Sequence, residues 1–188
     1  MKEYGMNDLE TFALVVQKRA EIAMRKAIKK LPDGIYKNTI KGDGIKETLN
    51  YPVKIVVKND NIEVDYKGAP PQTKQGGSNC TFSYSAAHTA YALKCILTPE
   101  IPSNIGCYKP MSFKAPKGSI FNCDKPMAVN TRTRSGWYIA PNIFLALSKA
   151  SPRNVIAYIG LPSMIEVYGF DKNNNSYQDL LFLSLIHI

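Results

Sequence analysis

The stretch Asn7–Gly34, NDLETFALVVQKRAEIAMRKAIKKLPDG, decides how the rest of the chain is read. Asn7 and Glu10 have the N-cap and N3 spacing of a capping box, and Pro32-Asp33-Gly34 supplies a stop. Between them Leu9, Phe12, Val16, Ala20, Ala23, Ala27 and Leu31 recur at intervals of three and four, which predicts one long helix with a single buried stripe. Lys18, Arg19, Arg25, Lys26, Lys29 and Lys30 fall mostly off that stripe. A helix of this kind needs a body to lie against, and the period changes directly after Gly34 to provide one.

From Ile35 the apolar period becomes two, with runs at 35–41, 49–58 and 62–67 divided by Gly42-Asp43-Gly44 and Asn59-Asp60-Asn61. This predicts an antiparallel meander in which Val53, Ile55 and Val57 face inward, alternating with Lys54, Val56 and Lys58. The segment GAPPQTKQGGSN (68–79) is irregular, because paired prolines withhold backbone donors and paired glycines free the turn. A second helix is expected over Phe82–Leu97, a short strand over Met111–Ala115, and a third helix from Ser135 to Ala150, kinked or restarted at Pro141. Strands over 155–159, 164–170 and 177–182, with a turn at Asp171–Asn175, complete the reading. The class is therefore α+β, with a long N-terminal helix, antiparallel strands and two further helices belonging to a larger mixed fold.

At 188 residues and 45% hydrophobic content the chain can bury one ordinary core. No run reaches the roughly 18 apolar residues of a membrane span, and MKEYGMNDLE lacks the order of a signal peptide, so a cytoplasmic address is expected. Cys80, Cys95, Cys107 and Cys123 form no CxxC pair and are read as reduced, inert thiols. The net charge is +9, and from Gly68 to Arg153 ten Lys or Arg stand against two acids, Glu100 and Asp124. Such a balance suits a phosphate-bearing ligand or nucleic acid, or else a lysine-rich surface whose acidic complement lies on a partner. The scattered placement of the cations favours the second.

Among motifs, Gly76-Gly77-Ser78-Asn79 could offer backbone amides to an anion, but it has neither a P-loop ending nor dinucleotide spacing. His88 shares a helical face with Tyr84, Tyr91 and Cys95, as a pocket wall or as a packed, hydrogen-bonded surface. The segment KPMAVNTRTRSGWYIAPN (125–142) places Arg132 and Arg134 two residues apart in what is expected to be an extended stretch before a helix, with both guanidiniums on one side. That arrangement suits an oxyanion, and equally two buried acids at an interface.

Taken in order, LPDGIY (31–36), DYKGAPPQTKQGGSN (65–79), YALKCIL (91–97), PEIPSNIGCYKP (99–110) and APKGSIFNCDKP (115–126) resemble the hydantoinase B/oxoprolinase family from about Asn7 to Phe182. The resemblance implies one half of an ATP-dependent enzyme: a cyclic-amide hydrolase of the hydantoinase or 5-oxoprolinase type, or alternatively a ketone carboxylase of the acetone or acetophenone type. The other half would be a hydantoinase A-type, actin-like ATPase subunit that holds ATP with Mg. A basic nucleic-acid-binding module is the reading from a different class, and it lacks an RNP-like aromatic signature.

The family pattern also implies incompleteness. A His/Asp segment for a divalent metal is expected upstream of Met1 and a glycine-rich block downstream of Phe182, so residues 1–182 read as a domain cut at both ends, with no metal or cofactor of its own. The ending LSLIHI (183–188) resembles a translated sequencing adapter. A glycine-rich VAGGN-type sequence of many members is replaced here by Val129-Asn130-Thr131-Arg132-Thr133-Arg134. Asn79, Asn104, Arg132 and Arg134 are the residues expected near the substrate, a small cyclic amide or ketone, or near the subunit interface. Lacking an acid/base group that titrates near neutrality, they would position the substrate and stabilise an oxyanion.

Overall fold

The computed structural model describes residues 8–44, 47–156 and 163–183. They fall into two units, one ending at Ile156 and one beginning at Ala157. In the first, helix α1 (Leu9–Ile28) starts at Asp8, whose carboxylate accepts the backbone N–H of Thr11. The cap is therefore Asp8 and not the Asn7 that the capping-box spacing suggests; Asn7 itself lies outside the described residues. The buried positions of α1 are Ala20, Glu21, Met24 and Ile28, and its first two turns are exposed. Leu9, Phe12 and Val16 are thus not on the packed stripe; the inner face is rotated toward Met24 and begins only at Ala20.

Strands β1 (Gly34–Asp43), β2 (Thr48–Lys58) and β3 (Asn61–Asp65) form the expected antiparallel meander. The short strand β4 (Met111–Lys114) adds parallel to β3, giving the order β1-β2-β3-β4. Such a parallel pair needs a crossover, and helices α2 (Phe82–Leu97) and α3 (Ile105–Tyr108) lie in it. Tyr51, Val53, Ile55 and Val57 of β2 are buried at alternate positions, as are Ile62 and Val64 of β3. Burial of each such aliphatic side chain contributes about 1.5–3 kcal/mol.

The helix expected from Ser135 is two pieces, α4 (Thr133–Gly136) and α5 (Ile139–Leu147). Ser135 is buried inside α4 and caps nothing, while Pro141 sits in the first turn of α5, where its missing N–H costs no intrahelical bond. Helix α5 packs on β1, β2 and α2, and α1 packs on α3. Two close approaches make this possible. A Cβ on Gly42 would lie 2.5 Å from the Tyr138 ring, and one on Gly106 would lie 1.9 Å from the Gln17 carbonyl oxygen. Tyr138 then stacks on Tyr51 at 4.8 Å, and Asn142 donates to the buried Tyr51 carbonyl at 2.7 Å.

The second unit contains a hairpin of β5 (Ser163–Phe170) and β6 (Ser176–Leu183). Its turn is closed by Asp171, which accepts the backbone N–H groups of Asn173 and Asn175, with Asn174 at φ 63°. Of the expected strand over 155–159, Val155 and Ile156 are irregular and the remainder lies outside the described residues.

Candidate functional site

Two irregular segments, 69–80 and 118–131, are tied together along the N-terminal end of α2. Ile120 donates to Pro70 O at 2.8 Å, Cys80 to Ile120 O at 2.7 Å and Cys123 to Cys80 O at 3.0 Å. Side chains add to this backbone zipper: Gln72 accepts the Asp124 N–H at 2.7 Å. Asn79 is fully buried, accepts the Thr73 N–H at 2.8 Å and donates to Thr73 O and Ala128 O at 2.8 and 3.0 Å. Its amide is committed to joining the two loops. The glycine pair has a similar role: a Cβ on Gly77, at φ 60°, would lie 1.8 Å from Asn130 Oδ1, and Thr131 donates to both Gly76 O and Gly77 O. Gly76-Gly77 is thus a packing seam between loops and does not have the form of a phosphate cradle.

Asn104 caps α3, accepting the Gly106 N–H at 2.9 Å and donating to Pro102 O at 3.3 Å. It thereby shapes the turn against which Gln17 of α1 rests, between the two loops in sequence and part of neither. Of the four residues singled out, only Arg132 and Arg134 direct exposed charged groups outward.

Those two arginines do not share a side. Arg132 has helical backbone angles, φ −53° and ψ −25°, and its carbonyl accepts the Gly136 N–H, so the segment winds into α4 and is not extended. In a helix, positions two apart are separated by about 200°. The Arg132 guanidinium accordingly lies 5.5 Å from the Tyr84 ring centroid and donates to Val129 O at 3.2 Å. Arg134 instead acts electrostatically on the hydroxyls of Tyr51 and Tyr138.

The arrangement that emerges is Arg132 over Tyr84, with His88 beside it on α2 at 4.4 Å between ring centroids. Gly136 permits it, since a Cβ there would lie 2.3 Å from Tyr84 Cε1. Tyr91 and Cys95 extend the same face and interact with each other. Burial lowers the His88 pKa from its usual value, so the imidazole is neutral at pH 7, and burial raises that of the Tyr84 hydroxyl. The cluster therefore offers one fixed cation, a neutral imidazole and a protonated phenol. It can orient a polar or anionic group and present an aromatic face, and its neutral imidazole is a proton acceptor made weaker by burial. The His88–Tyr84 pairing was legible from i, i+4 spacing; the approach of Arg132 was not, because it depends on the turn at 130–133.

An open groove of about 410 Å³ lies beside β3 and β4, lined by Lys67, Phe82, Phe113 and Lys114 among others. Lys114 is engaged by Glu63 at 2.7 Å. Among the described residues no three His, Cys, Asp or Glu side chains gather as a metal-binding group, and no helix is long and apolar enough to cross a membrane.

Comparison with known proteins places this architecture. A protein of Pseudomonas sp. (strain NS671), named provisionally as the B-type component of a D-/L-hydantoinase, is 28% identical over 200 residues, covering 96% of this chain and 33% of its own. The beta component of the caprolactamase of Pseudomonas jessenii is 26% identical, covering 99% of this chain and 33% of its own. The crystal structure of the ATP-dependent caprolactamase from that organism superposes with a TM-score of 0.79 at 25% identity, over 94% of this chain and 31% of that one. A nucleotide-free acetone carboxylase structure shares the fold, with a TM-score of 0.73 at 15% identity, over 86% of this chain and 24% of that one. This chain thus spans about a third of the length of the first two relatives. The hydantoinase B/oxoprolinase family model matches residues 1–183, and the chain belongs to the hydantoinase B/oxoprolinase family.

Proposed function

We propose that this chain is a segment of the B-type subunit of an ATP-dependent cyclic-amide hydrolase. The observation that carries the reading is the match of nearly the whole chain to the family model, together with the caprolactamase superposition. Relatives named as B-type and beta components of their enzymes support a partner subunit, which we assign as an A-type, actin-like ATPase holding ATP with Mg. ATP would supply activation of the amide carbonyl oxygen there. The present chain contributes the frame, and its Arg132, Tyr84 and His88 contribute a polar, partly aromatic surface for substrate or for the partner subunit. Asn79 and Asn104 act indirectly, by fixing the loop pair and the α3 turn.

A ketone carboxylase is the second reading, supported by the shared fold of the acetone carboxylase structure. The deciding assay uses the complete assembled enzyme and follows ATP consumption with hydantoin, 5-oxoproline and a lactam in turn. Turnover with one of these confirms the hydrolase; turnover only with ketone plus bicarbonate overturns it.

A further inference from the structure

Helix α1 has two faces with opposite fates. Its inner face, Ala20, Met24, Ile28 and the following Leu31, is buried. About half a turn away around the axis runs a second series, Phe12, Val15, Arg19, Ile22 and Lys26, spaced alternately three and four residues apart, as in the seam of a helix pair. Phe12, Val15 and Ile22 on this outer seam are 50%, 48% and 54% exposed. Phe12, Val15 and Ile22 thus form an apolar strip along one side of the helix, with Arg19 set between Val15 and Ile22, and Leu9 and Val16 widen it beside Phe12 at the N-terminal end.

The charges beside the strip say what kind of surface fits it. Lys18, Arg19, Lys26, Lys29 and Lys30 are all exposed and flank or continue it. Among the described residues only Lys18 has a carboxylate partner, Glu21 at 3.5 Å; Arg19, Lys26, Lys29 and Lys30 have none. A second copy of this chain would bring the same cations to the seam, on a molecule of net charge +9. A helix with apolar positions flanked by Asp or Glu would instead cover the strip and neutralise its margin.

We propose that the outer seam of α1 docks an acid-flanked amphipathic helix contributed by the part of a B-type polypeptide that this chain does not span. The relatives named as B-type or beta components are about three times as long as the matched region, which supplies the polypeptide needed. The proposal rests on the reading of this chain as part of a B-type subunit, but not on which substrate that subunit serves.

The test places a photo-cross-linking phenylalanine at Val15, and separately at Ile22, in the full-length B-type subunit assembled with its partner, and maps the cross-linked peptides. The expected product joins α1 to a peptide outside this chain in the same polypeptide, with acidic residues flanking an apolar seam. Charge reversal by Lys26→Glu with Lys29→Glu then lowers the cross-link yield about ten-fold, the equivalent of ~1.4 kcal/mol. Circular dichroism of that variant matches the parent, because both lysines are exposed. Cross-links confined to peptides of this chain, or running to the partner subunit, overturn the proposal, as does a yield insensitive to charge reversal. Absence of amide-dependent ATP turnover would defeat the functional reading and leave the cross-link result standing.

Discussion

Asn79 and His88 show how far a single residue's role can be taken from its neighbours in the chain. A polar residue after two glycines and before a helix invites a ligand reading, yet Asn79 is spent on Thr73 and Ala128, the latter 49 positions away. Nothing local signals a partner at that separation. Asn79→Ala should leave three backbone groups without partners and cost about 2–4 kcal/mol in chemical denaturation. Arg132→Ala removes an exposed cation–π contact of about 0.5–1 kcal/mol and an exposed hydrogen bond to Val129 O, so a large loss of activity in the assembled enzyme with little change in stability would mark Arg132 as functional. His88 titrates with a predictable sign. Its folded-state pKa is depressed by burial, so the stability it confers is full above the ordinary histidine pKa. That stability falls as pH drops through the ordinary value toward the folded one. His88→Asn should therefore flatten the decline of stability between neutral and mildly acidic pH, measured by urea midpoints at each pH; an unchanged slope would show that His88 is not the titrating group. Cys80 is the opposite case, a thiol whose pKa burial pushes up to about 12. It should resist alkylation in the native protein at pH 8, while the partly exposed Cys95 and Cys123 react.

At the scale of elements, what was legible followed from strict periods. The meander and α2 were readable because alternation and an unbroken helical run between irregular segments each admit one placement; the cap of α2, Thr81 accepting the Tyr84 N–H, was not singled out from the sequence. Helix α1 was readable as a helix but its packed face was not. Its N-terminal half is apolar around much of the axis, so the sequence admits more than one stripe. The actual inner face includes Glu21, buried among Lys18, Arg25 and Lys109. An acid at a core position looks like a surface residue until its three cations are known. The parallel addition of β4 was likewise hidden, because pairing across a long crossover leaves no local mark. The close approaches between elements are testable at their glycines. Gly106→Ala sets a Cβ against the rigid Gln17 backbone carbonyl and should separate α1 from α3 at a cost of about 1–3 kcal/mol. Gly136→Ala meets the Tyr84 side chain first, which can swing. It should melt near the parent temperature while moving Tyr84 away from Arg132 and His88. If both variants melt alike, the distinction between backbone and side-chain neighbours is wrong.

For the whole molecule, the exposed surface is the most informative feature, because several large apolar side chains stand uncovered among the described residues. Phe12, Val15 and Ile22 lie open on α1, Ile35 is 61% exposed on the edge strand β1, and Tyr168, Phe170 and Tyr177 are exposed on the hairpin. β1 and β4 are the two edges of the four-stranded sheet. The edge at β1 carries Lys37 and Lys41, which discourage strand addition, whereas β4 offers only Lys114 and is short. The net charge of +9 opposes association at low ionic strength, and salt screens that repulsion while leaving the apolar strip intact. The isolated chain should therefore self-associate, and more so as salt is raised from low to physiological levels, as measured by light scattering. Phe12→Lys with Ile22→Lys should suppress the salt-induced association without lowering the unfolding midpoint, since neither side chain contributes to the core. A parent chain that stays monomeric and melts cooperatively at every salt concentration would show that the α1 strip is tolerated in water, and would remove the reason for expecting a covering partner.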